Sequence, residues 1–328
     1  MIKNKWYAIL ESKEVKKKPV GIVRMGEKLV LYRDEKSQII CLFDKCCHRG
    51  AKLSLGCVKD GQLECPFHGF LYDEQGRVTY IPANGKASKI APNFKVNSYQ
   101  VTEKYGFIWL WYSEKKDGLE EEIPYFEELK TGFYYSTFSE VWNVHYTRAI
   151  ENQLDVVHVP FVHASTIGKG GRTKVNGPVV KWEKDIMTFY VNNVIDDELT
   201  PALKANEVKN YKNLFSLQYY VPNIWQNRIN DKIRIFAAFA PIDEGHTKIY
   251  LRFYQSFLPI PILGHFVTNI ANIYNKIVLH QDRAVVLSQD PIKSDLKMRE
   301  MLVPGDKPII EFRKKMAQLK SQENQDTH

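Results

Sequence analysis

The sequence predicts an α+β protein in two parts. An all-β unit occupies residues 1–112, a polar link follows at 113–123, and 124–328 forms a larger domain with a long antiparallel sheet and packed helices. Three observations carry this reading. Short β-branched and apolar runs separated by turn groups fill the first 110 residues. Residues 112–122 are then charged and apolar-poor, with Gly118 inside and Pro124 just beyond, as at a domain boundary. Past that point longer strand-like segments recur before a helical one. At 328 residues and 44% apolar content the chain has room and material for two cores.

In the first part, the runs at 21–23, 29–32 and 39–43 alternate with turn groups such as 33–37. The pattern resumes after a turn at 73–76 with 77–81 and closes on 105–111, as short antiparallel strands. Two loops carry the chemistry: Cys46-Cys47-His48-Arg49-Gly50 and Cys65-Pro66-Phe67-His68-Gly69. The pattern C-x-H, then C-x-x-H, fits a structural zinc, which accepts the same ligands. It also fits a [2Fe-2S] cluster in which one iron takes two thiolates and the other two imidazoles. The glycine after each histidine suits tight loops folding over such a cluster. All five cysteines fall within the first 65 residues, and their odd number favours metal binding over disulfides.

In the second part, 133–146 reads as an aromatic-rich strand leading into Glu151-Asn152-Gln153-Leu154-Asp155-Val156-Val157-His158-Val159-Pro160-Phe161-Val162-His163. Asp155 and His158 are expected on one helix face, while an unbroken helix would carry His163 round to the side. A kink at Pro160 brings His163 back beside His158. Two imidazoles plus a distant carboxylate make the facial triad of non-haem Fe(II) sites; two core histidines near a helix end are the alternative. The glycine-rich stretch 168–172 lacks the strand and spacing of a phosphate loop, and a mobile loop near the iron pocket is expected. Segments 179–182, 186–195, 215–221, 233–240 and 248–257 read as strands of one sheet with helices packed on it, and 273–289 as a closing helix.

The loops CCHRGAKLSLG and CPFHGF and the segment ENQLDVVHVPFVH, in that order, resemble the cluster and iron motifs of Rieske non-haem iron oxygenases, and the resemblance covers essentially the whole chain. It implies a Rieske [2Fe-2S] cluster on Cys46, His48, Cys65 and His68. It further implies a mononuclear Fe(II) on His158, His163 and Asp282, the aspartate of the Gln281-Asp282 pair. Asp290 competes for that role, but Pro291 after it suggests that the helix ends there. By the same resemblance Asp155 links an iron-ligating histidine to His68 of a neighbouring subunit, orienting its imidazoles. Asn152 stands near the iron as a hydrogen-bonding neighbour, and His145 and His280 are not ligands. Two departures touch cluster packing and potential: Cys47 where the family commonly has proline, and Phe70 where it commonly has tryptophan. Cys47 reads as a non-ligand thiol, Cys41 and Cys57 as packing residues.

The implied reaction is hydroxylation or oxidative demethylation of a small organic molecule with O2, one electron passing from the cluster across Asp155 to the iron. A pocket lined by Phe161, Phe215, Tyr219 and Trp225 is expected. Cis-dihydroxylation of a ring is the alternative within the family. An electron-transfer protein without oxygenase activity is the alternative outside it. The chain is short for the large subunit of a ring dihydroxylase and closer to homotrimeric members. Since no dinucleotide or flavin motif is present, a ferredoxin and/or flavin reductase must supply electrons, with Lys45, Arg49 and Lys52 as a basic docking face. The net charge of +8 comes partly from runs at 13–18 and 313–315 expected to be solvated, and no nucleic-acid-binding motif accompanies it. There is no apolar leader and no uninterrupted apolar run of about 18 residues, the best stretch, 257–279, being broken by prolines and polar residues. A cytoplasmic enzyme is therefore expected.

Overall fold

The computed structural model describes residues 1–113 and 121–325. The chain forms two compact units, one of residues 3–123 with the short segment 241–243, the other of 124–240 with 244–328. Residues 114–120 of the expected link lie outside the described residues.

The first unit contains β1 (Lys5–Glu11), β2 (Val20–Arg24), β3 (Glu27–Arg33), β4 (Ile39–Phe43), β5 (Cys57–Lys59), β6 (Gln62–Glu64), β7 (Leu71–Tyr72), β8 (Val78–Tyr80), β9 (Ser98–Tyr99), β10 (Val101–Lys104) and β11 (Phe107–Tyr112). They form three antiparallel sheets, ordered β1-β11-β10, β2-β3-β4-β9 and β5-β6-β7-β8. β1 is absent from the sequence reading for a physical reason. Trp6 through Leu10 are all buried, so the strand shows no alternation of apolar and polar residues. Leu42, Leu53, Leu63, Phe70 and Tyr72 share a core with Cys46 and Cys65, which places both thiols expected to bind metal against packed apolar side chains.

The second unit contains β12 (Tyr134–Trp142), α1 (Tyr146–Leu154), α2 (Val159–Val162), β13 (Lys174–Glu183), β14 (Ile186–Val194), β15 (Phe215–Tyr220), β16 (Ile224–Asn230), β17 (Ile233–Pro241), β18 (Thr247–Gln255), α3 (Pro261–Val286) and α4 (Lys307–Gln325). One seven-stranded antiparallel sheet runs β12-β18-β17-β16-β15-β14-β13. Its chain order is a succession of hairpins, except that β18 returns to pair with β12 from Tyr134↔Gln255 to Trp142↔Thr247. α3 packs on β12 and β18, α4 packs on β13, and α1 touches both helices.

Three elements depart from expectation. β16 is a strand although Gln226, Asn227 and Asn230 give it the composition of a loop. α3 begins at Pro261, twelve residues before the helix read from sequence, using proline in the first helical turn, where no N–H is needed. α4 was not anticipated; it buries Ile309, Phe312 and Met316 on one face. With them goes Arg313, so the 313–315 run is solvated at Lys314 but not at Arg313. Among the described residues no helix is long and apolar enough to cross a membrane.

Candidate metal centres

The two cluster loops repeat one hydrogen-bond pattern. Cys46 N–H donates to the Ala51 carbonyl at 2.7 Å and the Cys46 carbonyl accepts from Gly50 N–H at 3.0 Å. Cys65 N–H likewise donates to Phe70 at 2.8 Å and its carbonyl accepts from Gly69 at 3.0 Å. Such closure turns the chain back through a left-handed residue, which glycine adopts without a Cβ clash; Gly50 has φ +74° and Gly69 φ +70°. Each loop thus buries its cysteine and leaves its histidine outside: Cys46 and Cys65 are 3% and 1% exposed, while His48 and His68 lie at the surface. The two imidazoles stand side by side, centroids 4.6 Å apart, and Phe70 stacks nearly parallel on His48 at 5.0 Å. The ring at position 70 therefore packs directly on a histidine expected to bind iron.

The donor set fits a Rieske cluster. Two thiols approach each other on the buried side, two imidazoles on the open side, one pair for each iron. Burial pushes the Cys65 thiol up, while backbone amides of Phe67 and His68 act in the opposite sense by donating to its sulfur. Tyr72, fully buried, donates to Cys46 Sγ at 3.1 Å, and burial, with the neighbouring cysteines, raises its phenol well above the ordinary range. Lys45, Arg49 and Lys52 are exposed beside the first loop. Cys41 is buried as expected, but Cys57 is exposed and packs no core; it begins an edge strand at a turn.

The mononuclear site is assembled otherwise. α1 ends at Leu154, and Asp155 is already extended (φ −75°, ψ 122°). Asp155 Oδ1 accepts the amides of Val157 at 2.7 Å and His158 at 3.2 Å, a local bond that competes with helix continuation. The expected single helix face for Asp155 and His158 therefore does not exist. The break comes at Asp155, and Pro160 sits in the first turn of α2, where proline is tolerated. His158 precedes α2 and His163 follows it, so one short turn brings their rings to 5.2 Å. Gly168 donates to the His163 carbonyl at 2.9 Å, and a Cβ at Gly168 would stand 2.0 Å from the Val159 carbonyl oxygen, so Gly168 itself is packed tightly on α2 while 169–172 are exposed.

α3 supplies the third donor. Asp282 Oδ1 lies 2.9 Å from His163 Nε2 and 3.4 Å from His158 Nε2, and the donor atoms of all three lie within 4.8 Å of one another. The adjacent Gln281 accepts at Oε1 from His163 Nδ1 at 2.9 Å and from Thr166 Oγ1 at 2.8 Å, while its Nε2 reaches Ser165 Oγ at 3.1 Å. With the Nδ1 proton so engaged, His163 presents a free Nε2 lone pair to the centre. Asp282 Oδ1 is buried without a hydrogen-bond partner. An orphaned carboxylate oxygen between two imidazole nitrogens fits a divalent cation bound by all three. Burial alone would favour a neutral His158, yet Asp155 and Asp282 push it up to about 9; a bound cation takes the place of that proton.

Asn152 Nδ2 and His158 Nδ1 are also buried without a partner, and Asp155 Oδ1 stands 3.6 Å from His158 Nδ1, beyond hydrogen-bond reach. His145 caps α1, its Nδ1 facing Thr147 Oγ1 at 2.8 Å, and His280 is exposed against Glu140 Oε2 at 2.7 Å. Of the aromatics expected in a pocket, Tyr219 and Trp225 are buried, whereas Phe161 and Phe215 are 64% and 41% exposed. Sequence reasoning missed the support of α1. Glu151 accepts from Arg313 at 2.6 and 3.0 Å and from Arg148 at 3.1 Å, and both arginines also reach Glu300, at 2.6 and 2.7 Å. This buried ion network ties α1 to α4, and the only signal for it in the sequence was the glutamate at the head of the motif.

Residues 5–100 match the family model of the Rieske [2Fe-2S] domain, and 142–322 that of the vanillate O-demethylase oxygenase C-terminal domain. The chain is 30% identical over 297 residues to chlorophyllide a oxygenase of Chlamydomonas reinhardtii, a match covering 88% of this chain and 43% of that one. It thus spans less than half the length of that relative. To methylxanthine N1-demethylase NdmA of Pseudomonas putida it is 27% identical over 306 residues, covering 92% and 83%. The solved structure of Pseudomonas putida CBB5 NdmA shares the fold, with a TM-score of 0.77 at 23% identity over 95% of this chain and 88% of that one.

Proposed function

This chain belongs to the Rieske non-haem iron oxygenases, with a [2Fe-2S] cluster and a mononuclear iron as its cofactors, and from that premise we propose that it hydroxylates or oxidatively demethylates a small organic molecule using O2 and external electrons. The observation that carries this reading is the convergence of His158, His163 and Asp282, with Asp282 Oδ1 buried and unpaired. Leaving a buried acceptor unsatisfied costs roughly 1–3 kcal/mol, a cost without purpose in a protein that only carries electrons. A relative named for methylxanthine demethylation and another named for chlorophyllide oxygenation support the two reaction types.

In this reading Cys46, His48, Cys65 and His68 hold the cluster, and His158, His163 and Asp282 hold the iron. An iron held by these three residues would supply O2 activation. The chain's own side chains do the positioning. Gln281 fixes the His163 tautomer, so that Nε2 is the ligating atom. Asp155 ends α1 and sets where His158 stands ahead of α2. Its carboxylate is 28% exposed, which supports the reading that it meets a second imidazole, that of His68 on a neighbouring subunit of a homotrimer. The exposure of His48, His68 and Phe67 supports that assembly. Lys45, Arg49 and Lys52 offer a cationic face to an acidic ferredoxin or flavin reductase. The cytoplasm, where such reductases and reduced thiols are available, is the proposed location.

The test is turnover with a reductase and ferredoxin, NADH, O2 and a panel of N- and O-methylated aromatic compounds. The expected result is substrate-dependent O2 uptake with either formaldehyde or a hydroxylated product in equal amount. Uptake independent of every compound, with all oxygen recovered as peroxide, would contradict the proposal.

A further inference from the structure

Beneath the first cluster loop, the Tyr72 hydroxyl meets three groups: Cys46 Sγ at 3.1 Å, Cys47 Sγ at 3.2 Å and the Cys47 backbone nitrogen at 3.1 Å. A phenol has one proton to give and two lone pairs to fill. A cluster-ligating sulfur has no proton, so toward Cys46 the hydroxyl must be the donor. Its oxygen then accepts from the Cys47 N–H and, because its own proton is committed, from the Cys47 S–H as well. The hydroxyl is thereby complete, one bond given and two received, and cannot turn away from Cys46. Cys47 itself is exposed, so core packing does not explain a cysteine there.

We propose that Cys47 is a positioning residue for the cluster: acting through Tyr72, it aims the phenolic proton at Cys46 Sγ and so raises the cluster's reduction potential. The inference rests on the reading of Cys46 as a cluster ligand. Reduction adds negative charge that the ligand sulfurs share, and a hydrogen bond to sulfur favours the reduced form. Two donors on the phenolic oxygen polarise its O–H and strengthen the bond it makes to sulfur. The two cysteine ligands are thus supported differently, Cys65 by backbone amides of Phe67 and His68, Cys46 by a side chain whose orientation depends on position 47. A proline at 47, having neither an N–H nor a thiol, would strip the phenolic oxygen of both its donors.

Spectroelectrochemical titration of the cluster in the full-length holoprotein tests this. Tyr72→Phe is expected to lower the potential by about 59 mV, a tenfold change in a one-electron equilibrium constant. Cys47→Pro is expected to lower it through roughly a threefold change, and Cys47→Ala, which keeps the amide, by less. Cys47→Ser, which restores a donor hydroxyl, should stay near wild type. In a Tyr72→Phe background none of the Cys47 changes should have any further effect. Equal shifts with and without the phenolic hydroxyl, or wild-type potentials in both Cys47→Pro and Cys47→Ala, would overturn the proposal. If Cys47→Pro fails to take up a cluster, the Cys47→Ala and Tyr72→Phe cycle decides alone. A separate variant, Cys46→Ala, should lose the cluster spectrum; if the spectrum survives, the ligand reading has failed rather than the role of Cys47.

Discussion

The cluster loops and the mononuclear site each gather a few donor atoms at one point, but by different means. Each cluster loop closes on itself, with a cysteine bonded to residues four and five positions on through backbone groups. No single segment closes the mononuclear site. His158 and His163 are placed by the interruption of a helix at Asp155, and Asp282 arrives from α3, 119 positions after His163 in the sequence. The first geometry is a property of short stretches of backbone, the second of how α1, α3 and α4 pack. Changes in those helices should therefore disturb the mononuclear iron while leaving the cluster's spectrum unchanged.

The largest separation is expected from Asp282→Ala. Turnover should fall to background and the mononuclear iron should be lost, while the visible spectrum of the cluster stays that of the wild type; retained activity would show that another carboxylate binds the iron. Glu151→Ala comes next. It removes one of the two carboxylates that Arg148 and Arg313 share, leaving only the more exposed Glu300, and since breaking a buried pair outright costs about 3–5 kcal/mol the loss should lie toward the lower end of that range. Denaturation followed by far-ultraviolet circular dichroism should register that loss. Gln281→Ala removes the partner of His163 Nδ1 together with the bonds to Thr166 and Ser165, and iron affinity at the mononuclear site should fall about 10–100-fold, measurable by Fe(II) titration with the cluster spectrum as internal control. The converse change is Gly69→Ala, which forces a Cβ into a left-handed residue 3.0 Å from Pro82 Cγ. It should cost about 1–2 kcal/mol and reach the cluster's stability without changing Fe(II) affinity.

A further effect is on pH dependence. Burial, assisted by Lys293, holds His145 down to about 3. In the unfolded chain the ring protonates near 6.5, so between these values the unfolded state binds the extra proton. The stability that His145 contributes is complete above about pH 6.5 and declines as pH falls toward 3, by at most about 1.4 kcal/mol per unit. His145→Asn should flatten that part of the stability curve, and an unchanged slope would show that the ring is not held neutral.

The same contrast explains what could be read from the sequence. The residues of both cluster loops were visible because their ligands and glycines lie within five positions of each other. His158 and His163 were visible for the same reason, whereas Asp282 emerged only from resemblance, since no local pattern marks a carboxylate that far away. The helix break was placed at Pro160 instead of Asp155 because the side-chain bond from Asp155 Oδ1 to two following amides is indistinguishable, in sequence, from an aspartate on a helix face. β1 escaped because burial on both faces erases alternation, and β16 because its amides sit where apolar residues were sought. α4 did carry a signal, Ile309, Phe312, Arg313 and Met316 at helical spacing, but the arginine among them reads as surface until its partner Glu151 is known.

Iron and acid-labile sulfide per chain, determined on anaerobically purified protein before and after adding Fe(II), test the central claim most directly. About three irons and two sulfides are expected, one two-iron cluster and one mononuclear site, falling to about two irons and two sulfides in Asp282→Ala. Two irons and two sulfides in the wild type, with none taken up on adding Fe(II), would contradict the account and leave a protein that only carries electrons.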